Sequence, residues 1–218
     1  MTVHTNSGLK LYMESAIAAA KTISAATNAS PGVFTSASHG YSNGDIVLLE
    51  VQGMVEVHGR LFKVVSVATD TFRIADVDGT NGIDTTDYGV FSSGTAKKLT
   101  LGTTITGVAD FAPAGGDIKT VPTTTVNDTV DTEIVVGATA MSYNLTMQWD
   151  PANTAQAAMI AAFQTRANKG FKVLWPDGAF VLFYGTVGYT GAPGGGNQGV
   201  TTSPAKISML GPLTNYAA

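Results

Sequence analysis

The segment AMSYNLTMQWD, residues 140–150, changes side-chain character at every position. Met141, Tyr143, Leu145, Met147 and Trp149 share one face, and Ser142, Asn144, Thr146 and Gln148 the other. That is the period of two of a strand with one side against a core. Its outer side is polar but carries no charge.

The chain then changes period. Asp150 suits an N-cap and Pro151 a first helical position, while Ala155, Met159, Ala162, Phe163 and Ala167 recur at three and four, so a helix is expected with Gly170 as its stop. FKVLW and AFVLFYGTVGY flank PDG (176–178), the signature of a hairpin, with Pro176 presetting the turn and Gly178 at positive φ. Phe180 to Tyr184 is apolar throughout, which predicts a strand covered on both faces. AKISML (205–210) reads as the closing strand.

Upstream, GLKLYMESAIAAAKTISAA (8–26) mixes helix and strand preferences and is read as strand. VFTSAS, DIVLLEV, GRLFKVVSV and DTFRIADV then follow as short strands separated by SNGD, QGMVEVHG and ATD turns. They predict a small β-module over 21–96. With 30 Thr and 25 Gly, the chain as a whole is expected to be all-β.

Only 13% of the 218 residues are charged, against about a quarter in an ordinary globular domain, and the mean hydropathy is +0.16. A surface this neutral points to burial against another protein. The longest apolar run falls well short of the about 18–20 residues of a membrane helix, so no membrane partner is expected. Residues 1–10 lack the pattern of a secretory signal, and without cysteine the chain is expected to fold in a reducing cytosol. A net charge of −4 without a basic, aromatic-interleaved stripe disfavours tight nucleic-acid binding. From 110 to 133, Asp110, Asp117, Asp128, Asp131 and Glu133 face Lys119 alone, either as a solvated loop or as a surface that repels nucleic acid.

Motifs for chemistry are weak. SHGYSNGD holds His39, Ser42 and Asp45, but three residues crowded into one turn rarely converge as a triad, and Ser42 lacks the G-x-S-x-G setting. DVDGTNGIDTTD (76–87) places Asp76, Asp78 and Asp87 like calcium-loop ligands, yet Asn81 stands where the sharp turn needs glycine. GGGNQG (194–199) matches G-x-G-x-x-G but runs into VTTSPAKI, not into a helix. His4, His39 and His58 have no metal-ligand spacing. Catalytic residues, cofactors and metals are therefore not expected.

TTITGVADFAPAGGDIKTVPTTTVNDT (103–129), WDPANTAQAAMIAAF (149–163), FKVLWPDGAFVLFYGTV (171–187) and KISMLGPLT (206–214) together resemble the major tail tube protein of long-tailed bacteriophages. HGYSNGD, GMVEVHGRLF and DTFRI resemble a small β-module found in several phage tail proteins. The resemblance implies a β-sandwich or barrel-like core of residues 1–20 and 97–218 with one flanking helix, and residues 21–96 inserted on its outer surface. It further implies a virion protein, made in the host cytoplasm, whose hexameric rings stack into a tube for genome delivery. Its partners are then other copies of itself and the tape measure, tail terminator and tail-tip proteins, with DNA passing through unbound. Ser142, Asn144, Thr146 and Gln148 become candidates for a face toward the lumen or a neighbour. The rival reading is a host-surface or carbohydrate-binding module with Tyr41, Tyr88 and Phe91 as its contact patch.

Overall fold

Glycine, asparagine and proline punctuate the Thr- and Val-rich segments at short intervals, and the segments between them become strands. The structure, a computed structural model, describes residues 5–218; His4 lies outside them. The first strands are β1 (Lys10–Met13), β2 (Ala16–Ile17), β3 (Lys21–Ile23), β4 (Ala25–Ala26), β5 (Phe34–Thr35), β6 (Ile46–Gln52), β7 (Arg60–Val65) and β8 (Thr71–Ile74). Next come β9 (Ser93–Thr100), β10 (Thr103–Ile105), β11 (Val108–Ala114), β12 (Ile118–Pro122), β13 (Glu133–Ala138) and β14 (Ser142–Gln148). Helix α1 (Thr154–Gln164) precedes β15 (Asn168–Leu174), β16 (Phe180–Gly188), β17 (Thr202–Met209) and β18 (Thr214–Tyr216). The fold is all-β with a single α-helix among the described residues, as the sequence predicts.

The larger sheet runs β10-β1-β15-β16-β17-β14-β11, with β18 alongside β16. Its two end strands are joined by Thr106 and Gly107 alone, so Ile105 and Val108 are at most about 11 Å apart. A sheet whose first and last strands are tied that closely has to roll up, which gives the barrel-like shape. Inside lie Leu11, Tyr143, Leu145, Met147, Phe171, Phe183 and Ile207, with Ala155, Met159 and Ala162 of α1 packed among them.

Several local expectations are corrected. The helix begins later than the sequence suggests, because the Asn153 side chain accepts from the N–H groups of Ala155 and Gln156; Asp150 and Pro151 form the turn before it. It ends at Gln164, as Arg166 takes positive φ, so Ala167 is not helical, and Phe163, still within the helix, is exposed. Gly170, expected as the stop, sits inside β15. Trp149 is also exposed, its indole N–H donating to the Gly191 carbonyl at 3.1 Å. The chain does not close on β17: β18 returns to pair with β16.

The PDG hairpin forms as expected, with Gly178 at φ 102° and its N–H donating to the Trp175 carbonyl. The opening segment is strand in four short pieces, β1 to β4.

The second sheet, β2-β9-β6-β7-β8-β5-β4 with β3 beside β9, draws on residues from Ala16 to Thr100 and has its own core around Phe34, Val47, Phe62 and Phe72. A third cluster joins the two bodies: Leu48, Leu61 and Leu99 of the module meet Leu182 and Tyr216 of the barrel. Leu182 thus turns outward to the module while Phe183 turns into the barrel, which is why β16 needs apolar residues at both parities.

Candidate functional site

Module and barrel divide the barrel's outer surface in two. Over β15, β16 and β18 the surface is covered. The Arg60 guanidinium donates to the Leu213 carbonyl at 2.9 Å, and the Lys63 N–H donates to the Tyr216 hydroxyl at 2.9 Å, so the chain's last strand clasps the module. Over β14 and its neighbours the surface is bare. Asn144 and Gln148 are exposed there and Thr146 is half-buried; Asn144 lies between Ala112 of β11 and Lys206 of β17. Ser142 does not belong with them, because it is only 5% exposed, at the end of β14 where Ala114 and Ser208 flank it.

The patch suggested for the module is not assembled as expected. Tyr41 is a core residue: its hydroxyl donates to the Ala96 carbonyl at 2.9 Å and its ring stacks on His39. Tyr88 and Phe91 are half-buried against that same core, so the three rings fill the module and do not display a shared face.

Burial pushes the Tyr41 hydroxyl up to about 12, with Asp45 adding to it, and burial also pushes Tyr216 up to about 12. Both are neutral in the fold, and an unfolded tyrosine ionises near pH 10. At these two hydroxyls the folded and unfolded chains hold the same protons below pH 10, and between pH 10 and about 12 only the unfolded chain releases them. Stability is therefore expected to hold up to about pH 10 and to fall from there to about pH 12. Thermal melts across that range check this, and Tyr41→Phe with Tyr216→Phe should flatten the decline.

His39, Ser42 and Asp45 form a turn. The Ser42 N–H donates to the Asp45 carboxylate at 2.8 Å, Asp45 pairs with Lys98 at 2.8 Å, and the His39 Nδ1 accepts from the Tyr41 N–H at 2.9 Å. The imidazole base is thus taken up by the backbone. The 76–87 segment is an inter-strand loop, and no cluster of three or more metal-binding side chains occurs among the described residues. GGGNQG leads into β17.

Sequence reasoning passed over the feature that stands out most. β11 and β14 continue past Gly115 and Gly116 as a second ribbon, β12–β13, in which every residue of both strands is exposed. Val121 opposes Ile134 on one face and Thr120 opposes Val135 on the other. Ile118, Val121, Ile134, Val135 and Val136 are all at least 45% exposed. An isolated two-stranded ribbon is marginal in water, and apolar side chains on both its faces mark a surface made to be covered. The signal was present in DIKTV and EIVVGA, but the acidic residues between them suggested a solvated loop.

The family model for the phage tail tube protein matches residues 52–218, which includes this ribbon, the barrel from β10 onward and the later part of the module. The chain belongs to the phage tail tube protein family. As a tail tube protein it is a structural component of the virion tail. No helix among the described residues is long and apolar enough to cross a membrane. One solved structure, from the virion of a native gene transfer agent particle, is similar at 19% sequence identity over 55% of this chain and 89% of that chain, with a TM-score of 0.41. No curated protein matches.

Proposed function

We propose that this tail tube protein polymerises as stacked hexameric rings into the hollow conduit through which the genome leaves the particle, with the tape measure, tail terminator and tail-tip proteins as its further partners. The exposed ribbon carries this reading, because a soluble monomer has no use for five large aliphatic side chains held in water on a two-stranded ribbon. Each strand of the ribbon also has an unpaired edge, a template on which another strand can pair. Low overall charge fits large contacts between copies.

In the same reading the barrel is the tube core and the module, residues 21–96 with β2 and the end of β9 in its sheet, is inserted on the outside. Asn144, Thr146 and Gln148, uncharged and on the side of the barrel that the module leaves uncovered, face the lumen or a neighbour, where they let DNA pass without displacing its counterions. Concentrated purified protein is expected to form rings or tubes by negative-stain electron microscopy. A species that stays monomeric by light scattering at every concentration and salt would refute the proposal.

A further inference from the structure

The ribbon of each copy needs a receptor of defined chemistry. Its loop presents Val126 and Val130, fully or largely exposed, together with Asp128 and Asp131, and Glu133 opens β13. The Thr125 N–H and hydroxyl both donate to the Asp128 carboxylate and hold it below the usual carboxylate range, so the tip stays negative. The six residues of β13, at about 3.3 Å each, carry that tip about 20 Å from the barrel, against a radius of gyration of about 17 Å for a chain this long. The tip can reach another subunit.

A surface of complementary character lies elsewhere on the same chain. Where the module rides on the barrel, a groove of about 640 Å³ opens between β1 and β15 on one side and β6 and β9 on the other. Leu101 and Leu174 make part of its lining apolar, and Lys63, Lys98 and Lys172 make it positive. Asp45 is the single acid lining it and is already paired with Lys98. Among the described residues neither Lys63 nor Lys172 has a carboxylate partner: Lys63 donates to the Gly79 carbonyl, and the Lys172 ammonium sits 4.3 Å from the centre of the Phe180 ring. Burial and the neighbouring Lys63 both press the Lys172 ammonium toward losing its proton, which an incoming carboxylate would reverse.

We propose that the groove between barrel and module, bearing Lys63 and Lys172, receives the acidic, valine-bearing tip of the β12–β13 ribbon from a second copy of this chain. The proposal rests on the tube reading and adds to it a lock: the module is part of the socket and not a decoration. Valines at the tip enter the apolar lining, and Asp128, Asp131 and Glu133 supply the charge that the two lysines lack.

The test reverses each side in the full chain. Asp128→Lys/Asp131→Lys/Glu133→Lys and, separately, Lys63→Glu/Lys172→Glu are each expected to cut the sedimentable polymer at least about tenfold, and the chain carrying both sets is expected to recover it. The ribbon variant should keep the wild-type melting temperature, since its side chains are exposed. Because the chain has no cysteine, Val130→Cys/Thr100→Cys offers an independent readout: a bismaleimide cross-linker should give a ladder of covalent oligomers only under polymerising conditions. That readout also decides the matter if the groove variant misfolds. Wild-type chains that never polymerise overturn the tube reading and this proposal together. Wild-type tubes with an unaffected ribbon variant, or tubes without a cross-linked ladder, overturn the groove alone.

Discussion

Cutting Phe183 back to alanine is expected to destabilise the protein by about 3–5 kcal/mol, the range for removing a fully buried aromatic ring. Phe183 is 1% exposed and stands in the middle of a row inside the barrel: its ring lies 5.2 Å from Phe171 and 5.2 Å from Tyr143, which in turn stacks on Phe111 at 4.2 Å. The loss therefore combines the transfer of the ring to water, a cavity lined by side chains that cannot all collapse into it, and two aromatic contacts. For a chain of this size each kcal/mol moves the melting temperature by about 2–4 °C, so a fall of about 6–20 °C should be read by calorimetry or circular dichroism. A shift below about 2 °C would mean that the row is not the packed centre described here. Leu182, one residue earlier, provides a contrast: its alanine variant should loosen the module, because that side chain packs with Leu48, Leu61 and Leu99.

Gly170→Val is expected to cost about 1–3 kcal/mol and to free the module from the barrel. A Cβ placed at Gly170 overlaps the Leu99 methyl Cδ2 and lies 3.2 Å from Leu61 Cδ1, both of them module side chains in the joining cluster. The same position is anchored from the other side, since the Glu14 carboxylate, buried at the joint, accepts from the Gly170 N–H at 3.1 Å and from Lys169 at 3.1 Å. The backbone cannot move far without breaking those hydrogen bonds, and Leu99 is held by its packing in the joining cluster. Faster proteolytic cleavage at the junction near Thr100, together with a lower melting temperature, is the expected outcome. Gly194→Ala, where an added Cβ meets nothing within 4 Å, should leave both unchanged. Equal behaviour of the two variants would mean that module and barrel do not interlock at Gly170.

Gly170 also shows where reading the sequence reaches its limit. On the page it follows an alanine-rich periodic run and looks like a helix stop; in the fold it is a strand residue chosen for the space that another layer occupies. Tyr41 follows the same logic. Its neighbours Ser42, Asn43 and Gly44 mark a turn correctly, yet whether its ring faces water or the core depends on Ala96, whose carbonyl lies more than fifty positions away and accepts the hydroxyl's hydrogen bond. The helix cap moved from Asp150 to Asn153 for a related reason: the Asn153 amide is also held by the Thr106 hydroxyl at 2.9 Å, a partner that the local sequence does not supply.

Residues 140–150, the PDG turn and the doubly apolar run at Phe180–Tyr184 determined by themselves that this is a β-protein with a helix beside one strand and a second layer over another, because period, turn chemistry and hydrophobicity act over a few neighbouring residues. Tertiary structure alone decided that the sheet rolls into a barrel, that the module packs over its β16 and β18 side, and that no other described residue covers β12–β13. Those outcomes depend on which distant surfaces meet, and a strand's own sequence carries no record of whether the apolar face it offers is covered within the chain or awaits another copy.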